Sequence, residues 1–382
     1  MKMKPFLTLV LMSVFFSSIS AQVSSDSGPL GVFFKQRDLT RLEQTLSTFG
    51  KSQFELDKKE YGSVRNPTFN LAPNTILNRT PQQLASTLTP RGDNTSVVLQ
   101  QLEFNKRILP SVQKEFEKIN IKWNPGFLAD FKIDWQRILM GAAGCTINTS
   151  ILTPVKDQMS CGSCWAFAAG ATWEHTYKKV FASAVNYDLS EEELNNCATN
   201  SDGSDVGSCR GGHTFNAFDF IKRSRLANEA SYPYTATNVA CLSKPKSFDI
   251  ITHGQIGTNV TPPTINEIKA AVLTYGAVTT YVFARGWGSY GTGVLNGIPN
   301  ASITSYTYTD GDGVTRPCDS NYINHAVTIV GWCDEKNAWI IKNSWGTDWG
   351  SYGGYGYVAY NHYNIGKYVY YAFPWLGSWP LW

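Results

Sequence analysis

Cys161-Gly162-Ser163-Cys164-Trp165-Ala166-Phe167 is the stretch whose reading decides the rest of this chain. Gly162-Ser163 reads as a turn, and Trp165 to Val180 is rich in helix formers, so Cys164 falls at or just before the first turn of a helix. Unpaired N–H groups and the positive end of the helix dipole favour thiolate over thiol at such a position. The thiolate is the reactive species, which makes Cys164 a candidate for covalent catalysis. These seven residues admit other readings. C-x-x-C also serves as a thioredoxin-type redox pair or as half of a zinc site, and a buried, inert cysteine is the plainest alternative.

The bulk composition narrows the field. With 382 residues, 13% aromatic and 16% charged, the chain suits a folded protein with room for more than one core. A net charge of +3 gives no reason to expect nucleic acid as a partner. Residues 1–130 carry 16 Lys+Arg against 11 Asp+Glu (+5), and the remainder carries 17 against 19 (−2). A basic leader before an acidic body fits a segment that docks partly by charge and loosens in acid. Lys2 and Lys4, an apolar core from Phe6 to Phe16 and Ser17-Ser18-Ile19-Ser20-Ala21 read as a secretory signal peptide over 1–21. The apolar core is too short to span a membrane, and no later segment looks like a span. Eight cysteines in a secreted chain point to disulfides, whose connectivity the spacing cannot give. Asn78, Asn94, Asn148, Asn259 and Asn300 each head an Asn-x-Ser/Thr sequon.

Three further motifs lie in order around the first. Thr153-Pro154-Val155-Lys156-Asp157-Gln158 precedes Cys164, with Gln158 six residues before it. Asn324-His325-Ala326-Val327 opens an apolar run to Gly331, a strand signal with a histidine near its start. Lys342-Asn343-Ser344-Trp345-Gly346 follows, then Trp349-Gly350 and a Gly/Tyr-rich stretch. Together the four motifs resemble the papain-like, cathepsin-type cysteine peptidases over roughly residues 133–375.

The resemblance implies a role for each motif residue. Cys164 would be the nucleophile, His325 its acid–base partner, Asn343 the group that orients the imidazole, and Trp345 a ring shielding that bond. Gln158, with the Cys164 backbone N–H, would form the oxyanion hole. Cys209-Arg210-Gly211-Gly212 matches the family's Cys-x-Gly-Gly, where bare glycine backbone pairs with an extended substrate. His213, Thr214, Tyr281 and Ala326 fall at second-subsite positions. Tyr281 is larger than usual there and suggests a shallower pocket; His213, when protonated, suits polar or acidic side chains. The family pattern also implies the bridges Cys161–Cys209 and Cys197–Cys241, and leaves Cys145, Cys318 and Cys333 unassigned.

The implied fold is α+β, with a helical half at about 131–245, a β-rich, barrel-like half at about 246–375, and a cleft between them. Ser190-Glu191-Glu192-Glu193-Leu194 reads as a helix start, with Ser190 as N-cap and Glu193 closing a capping box. Strands are expected at 277–283, 327–332, 338–342 and 355–360. Residues 22–130 would be an inhibitory helical pro-segment, with processing near 127–132 just before Ile133-Asp134-Trp135. Asn74-Thr75-Ile76-Leu77-Asn78 is a degenerate echo of a family pro-segment motif. An amphipathic stretch (Leu102, Leu109, Val112, Phe116, Ile119) follows it, interrupted by Pro110.

Two departures stand out: a stretch at 296–317 about twenty residues longer than the family's loop, and an aromatic tail from Trp375 to Trp382. The former is either a lid over the leaving-group side of the cleft or a plain surface insertion. No His-His loop follows Cys241, which favours internal cleavage over trimming of chain ends. The expected activity is a cysteine endopeptidase made as a zymogen, secreted or lysosomal/vacuolar, working as a monomer without metal or cofactor. Its partners would be peptide or protein substrates, its own pro-segment and cystatin-like inhibitors. The alternatives are a silent papain-fold peptide or partner binder and, further off, a disulfide oxidoreductase.

Overall fold

A computed structural model describes residue 30 and residues 40–84, 86–118, 144–309 and 313–376. The expected signal peptide, the processing region at 127–132, Ile133-Asp134-Trp135 and the last six tail residues lie outside the described residues. The longer helices are α1 (Thr48–Tyr61), α2 (Thr95–Lys118), α3 (Cys164–Phe181), α4 (Glu191–Cys197), α5 (Thr214–Ser224) and α6 (Ile265–Tyr275), and Pro81–Leu84 forms a single helical turn. The strands are β1 (Thr68–Leu71), β2 (Cys145–Ile147), β3 (Gly207–Ser208), β4 (Gly211–Gly212), β5 (Phe248–Ile256), β6 (Val278–Val282), β7 (Tyr290–Leu295), β8 (Thr307–Thr309), β9 (Thr315–Pro317), β10 (His325–Cys333), β11 (Ala338–Lys342), β12 (Tyr355–Ala359) and β13 (Val369–Leu376). Among the described residues no helix is long and apolar enough to cross a membrane.

One large sheet carries the second half, in the order β1-β7-β12-β11-β10-β6-β13-β5, with β2 added to the far end of β10. All its pairings are antiparallel except β7 with β12. The strand β10 is central and all nine of its residues are buried, as its unbroken apolar run implies. Helix α3 is nearly as enclosed, with 14 of its 18 residues buried, among them Glu174, His175 and Lys178 as well as its Ala and Trp residues. It ends where Ala182 turns left-handed and donates its N–H to the Lys178 carbonyl. Two apolar cores result. One lies among α3, α4, α5 and the β5–β13 edge around Trp165 and Trp173; the other surrounds the sheet, with Trp287, Trp339 and Trp349. Cys164 belongs to the first and Trp345 to the second, so the cleft is the seam between them.

The expected strands sit within a residue or two of their positions, and the α+β layout holds. The β-rich half also contains α6, which begins with a true capping box between Thr264 and Glu267. Corrections follow elsewhere. Ser190 caps α4 through the Glu193 N–H, but Glu193 does not return the bond. Its carboxylate accepts from the Ala227 N–H and pairs with Lys246, while the Ser190 N–H goes to the Ala227 carbonyl. A tertiary donor and a cation outcompete the local box. Pro110 does not interrupt α2. Pro110 faces solvent, whereas Asn105, Val112 and Phe116 are buried on the other side and carry the helix past it.

The two implied bridges, Cys161–Cys209 and Cys197–Cys241, are both formed. The unassigned cysteines resolve as Cys145–Cys333, which ties β2 to the end of β10 in register, with Cys318 left as a buried free thiol. Denatured without reductant, the chain should therefore label at two thiols, Cys164 and Cys318; label at Cys145 or Cys333 would contradict the third bridge. Replacing both Cys145 and Cys333 with Ser should lower stability by about 2–4 kcal/mol in urea unfolding.

Candidate active site

Cys164 is the first residue of α3, as its sequence suggests. Ser163 precedes it without a side-chain cap, and the Ser163 carbonyl accepts the Ala166 and Phe167 N–H groups. The thiol is fully buried. Burial alone would push it up, but the His325 ring, the Thr87 hydroxyl 3.1 Å away and a backbone bond with Ser86 outweigh that and lower it to about 7. A nucleophile poised in this way is partly ionised at neutral pH.

His325 begins β10 and is held there by its register opposite Val282 on β6. Its Nε2 lies 2.8 Å from Asn343 Oδ1, at the end of β11. Nδ1 makes no hydrogen bond of its own and is the nitrogen left for Cys164. The Trp345 ring covers the imidazole at a centroid distance of 4.6 Å, keeping water from the His325–Asn343 bond.

Gln158 is buried and doubly held. Ser344 Oγ donates to its Oε1 at 2.7 Å, and its Nε2 donates to the Cys161 carbonyl at 2.9 Å. Its loop is pinned by Lys156, whose ammonium sits 2.6–2.9 Å from Glu174, Asp188 and Glu191. The four motif residues, scattered over 185 positions from Gln158 to Asn343, thus converge at one seam.

The cleft is occupied by the chain itself. Residues 83–84 and 86–89 cross it: Gln158 Nε2 also donates to the Gln83 and Leu84 carbonyls at 3.2 Å, and Trp345 Nε1 donates to the Leu84 carbonyl at 3.1 Å. The Thr87 N–H donates to the Asn324 carbonyl at 2.9 Å, and the Leu88 N–H to the Gly212 carbonyl at 3.4 Å. Gly211 has φ +118°, and a Cβ there would lie 1.8 Å from the Ser86 carbonyl oxygen, so only glycine admits the crossing strand.

Of the expected subsite residues, Gly211, Gly212 and His213 lie along this path, with His213 half-buried and pushed down by burial. Thr214, Tyr281 and Ala326 are buried behind it. The Tyr281 hydroxyl accepts the Thr214 N–H at 2.8 Å, so the tyrosine fills the floor. In the 296–317 stretch, β8 and β9 form a hairpin packed down by Tyr308 stacking on Tyr322, and Tyr308, Thr309 and Pro317 line the open groove beside the crossing strand. Sequence reading missed Thr87, Ser86 and Leu84, since no periodicity or motif marks an irregular segment that borrows its partners from the cleft walls. It also missed Ser344, which the Asn-Ser-Trp-Gly motif contains without revealing that it aims Gln158.

The sequons differ in surroundings. Asn78 and Asn148 are exposed; Asn300 Oδ1 accepts the Asn364 N–H; Asn94 and Asn259 bond to each other's segment, with Asn259 N–H on Asn94 Oδ1 at 2.7 Å.

A thiol at a helix start, an imidazole fixed by an amide and an amide donor beside them form a site able to attack an acyl carbon and hold the resulting oxyanion. Comparison with known sequences gives the family. The profile of the papain family cysteine proteases matches residues 143–373, more than half the chain, and the chain belongs to that family. Oryzain gamma chain of Oryza sativa subsp. japonica is 36% identical over 209 residues, covering 53% of this chain and 51% of its own length. Cathepsin K of Gallus gallus is 31% identical over 225 residues, covering 58% and 56%. The chain spans about half the length of these curated relatives. In fold it is similar to procathepsin L2 from Tenebrio molitor larval midgut (22% identity, TM-score 0.59, 87% of this chain and 91% of that one) and to recombinant stem bromelain precursor (24%, 0.52, 86% and 93%).

The thiol's environment makes a testable claim. Thiolate ultraviolet absorbance, with Cys164→Ser as blank, should titrate with a midpoint near 7. In His325→Ala the lowering partner is gone while burial remains, so the midpoint should move upward and thiolate should appear only at higher pH.

Proposed function

We propose that this chain is a cysteine endopeptidase made as a zymogen in the secretory pathway, with residues 22–130 as pro-segment and 131–382 as peptidase. The observation that carries this reading is the occupied cleft: the leader places carbonyls on Gln158 Nε2 and a hydroxyl on Cys164 Sγ, the two atoms that substrate would need. Once the leader leaves, the Cys164 thiolate attacks the scissile carbonyl carbon. Gln158 Nε2 and the Cys164 N–H hold the oxyanion, and the His325 imidazolium protonates the leaving amine. Water, deprotonated by His325, then cleaves the thioester. Asn343 and Trp345 keep the imidazole in plane throughout.

Leader and body are joined by charge in both senses. Arg79 makes a bidentate pair with Asp157 at 2.7 Å, as a basic leader on an acidic body requires, while Glu60 with Arg285 has the opposite sense. Breaking either pair loosens the leader on the body. Tyr281 on the subsite floor supports a preference for short side chains at the second subsite. The disulfides support an oxidising compartment. A monomeric enzyme, open to cystatin-like inhibitors, completes the reading.

The experiment is acidification of the purified chain to about pH 5 under mild reduction, following hydrolysis of a dipeptidyl fluorogenic substrate together with chain mass. Activity should appear as leader is lost and be absent from Cys164→Ala; a silent chain whose Cys164 still alkylates would favour the peptide-binding alternative. Arg79→Ala removes the pair with Asp157 and should speed loss of the leader and the onset of activity at a given pH. Gln158→Ala should lower kcat by about 10²–10³.

A further inference from the structure

We propose that the activated enzyme keeps residues 94–118 as a permanent part of its catalytic domain, and that the activating cut falls in the exposed strap Pro90–Asp93. The inference rests on the zymogen reading above and says which part of the leader leaves.

The leader is not one structural unit. Before the cleft, the leader meets the body through the pairing of β1 with β7, the Arg79 and Glu60 ion pairs, and buried contacts of Asp57 with Ser289, Asn74 with the Gly288 carbonyl, and Phe69 and Ile76 in the sheet core. After the cleft, one face of α2 packs on β5 and β13. Asn105 is fully buried, with Nδ2 donating to the Tyr371 hydroxyl at 3.0 Å and Oδ1 accepting from Thr252 Oγ1 and, at 3.0 Å, from Gln101 Nε2. Gln101 Nε2 also reaches Thr252 Oγ1 at 2.9 Å. Val112 and Phe116 are 0% and 1% exposed, and Phe116 packs on Phe181 of α3 and Phe373 of β13. Lys222 of α5 lies over the Phe104 ring at 3.9 Å. Strand β5 is the last in the sheet, yet all nine of its residues are buried, and α2 is what covers its Thr252 face. Stripping α2 would expose Phe373 and leave the Thr252 and Tyr371 hydroxyls to water, a loss comparable to removing a core helix.

Between these parts the chain is open. Upstream, the strap is tied at Thr87, Leu88 and Thr89 to the cleft walls; downstream, it is tied by the Gly92 carbonyl and Asn94 side chain to Asn259 and Gln255. Arg91, Gly92 and Asp93 are exposed, and the strap bridges a groove of about 1720 Å3. Water added across one peptide bond here yields a new carboxylate and a new α-amine. It frees residues upstream of the cut to leave the cleft and touches no contact of α2.

The test has two arms. In the first, the acid-activated chain is passed through native size exclusion, and the active fraction is weighed by denaturing mass spectrometry. Residues 94–118 should be present, either as the N-terminus of the main chain or as a co-eluting peptide; an active fraction without them overturns the proposal. Phe116→Leu and Asn105→Ala should lower the melting temperature of that active fraction by several degrees, whereas Phe54→Ala in α1 should lower only that of the uncut chain. Unchanged melting of the active fraction in the α2 variants also overturns it. In the second arm, Cys164→Ala is treated with trace trypsin at neutral pH. A first cut after Arg91, with 94–118 retained on the body, supports the proposal without requiring activity; a first cut elsewhere that sheds α2 overturns it. Failure of the endopeptidase reading would show separately, as no hydrolysis in the first arm.

Discussion

The cleft depends on one physical arrangement: the N-terminal end of a helix buried on every side is pressed against the starting end of a strand buried on every side. Helix α3 brings Cys164 to that junction and β10 brings His325, and neither element can shift without opening an apolar core. Burial makes the thiol harder to ionise, and the imidazole beside it reverses that effect. The reactivity of the sulfur is therefore a property of the packing as much as of the residue. Around the junction, each polar side chain has its direction fixed by a neighbour: Asn343 fixes His325, Ser344 fixes Gln158, and Trp345 closes the space above the ring.

The same completeness lets a neighbouring segment lie across the seam: Gln83, Leu84 and Thr87 do so with backbone carbonyls on Gln158 Nε2 and Trp345 Nε1 and a threonine hydroxyl beside Cys164 Sγ. Along the leader the attachment changes in kind: ion pairs, an edge strand and the buried Phe69, Asn74 and Ile76 before the cleft, and one packed face of α2 after it.

Much of this was legible in the residues. Cys164 at a helix start, His325 at a strand start and the Asn-Ser-Trp-Gly run carry their own local structure, and the fold brings Cys164, His325, Asn343 and Gln158 to one seam. The strands around 327–332 and 338–342 could be read because central strands are continuously apolar. Less legible were features whose cause lies elsewhere in the chain. Glu193 had the spacing of a capping box and was drawn off by Lys246 and Ala227. Pro110 had the mark of a helix break and was overridden by burial of Asn105 and Phe116 on the opposite face. Cys145 and Cys333 became partners only because β2 adds to β10 in that register.

By itself, then, the sequence determined the chemistry and the two kinds of element that bear it, since a nucleophile motif, a strand pattern and a cap are short-range facts written in neighbouring residues. Only the tertiary structure decided what fills the cleft, which cysteines pair across 188 positions and which leader residues join the core. Those depend on contacts between segments far apart in the chain, and such contacts are selected by how surfaces pack, which no local pattern records.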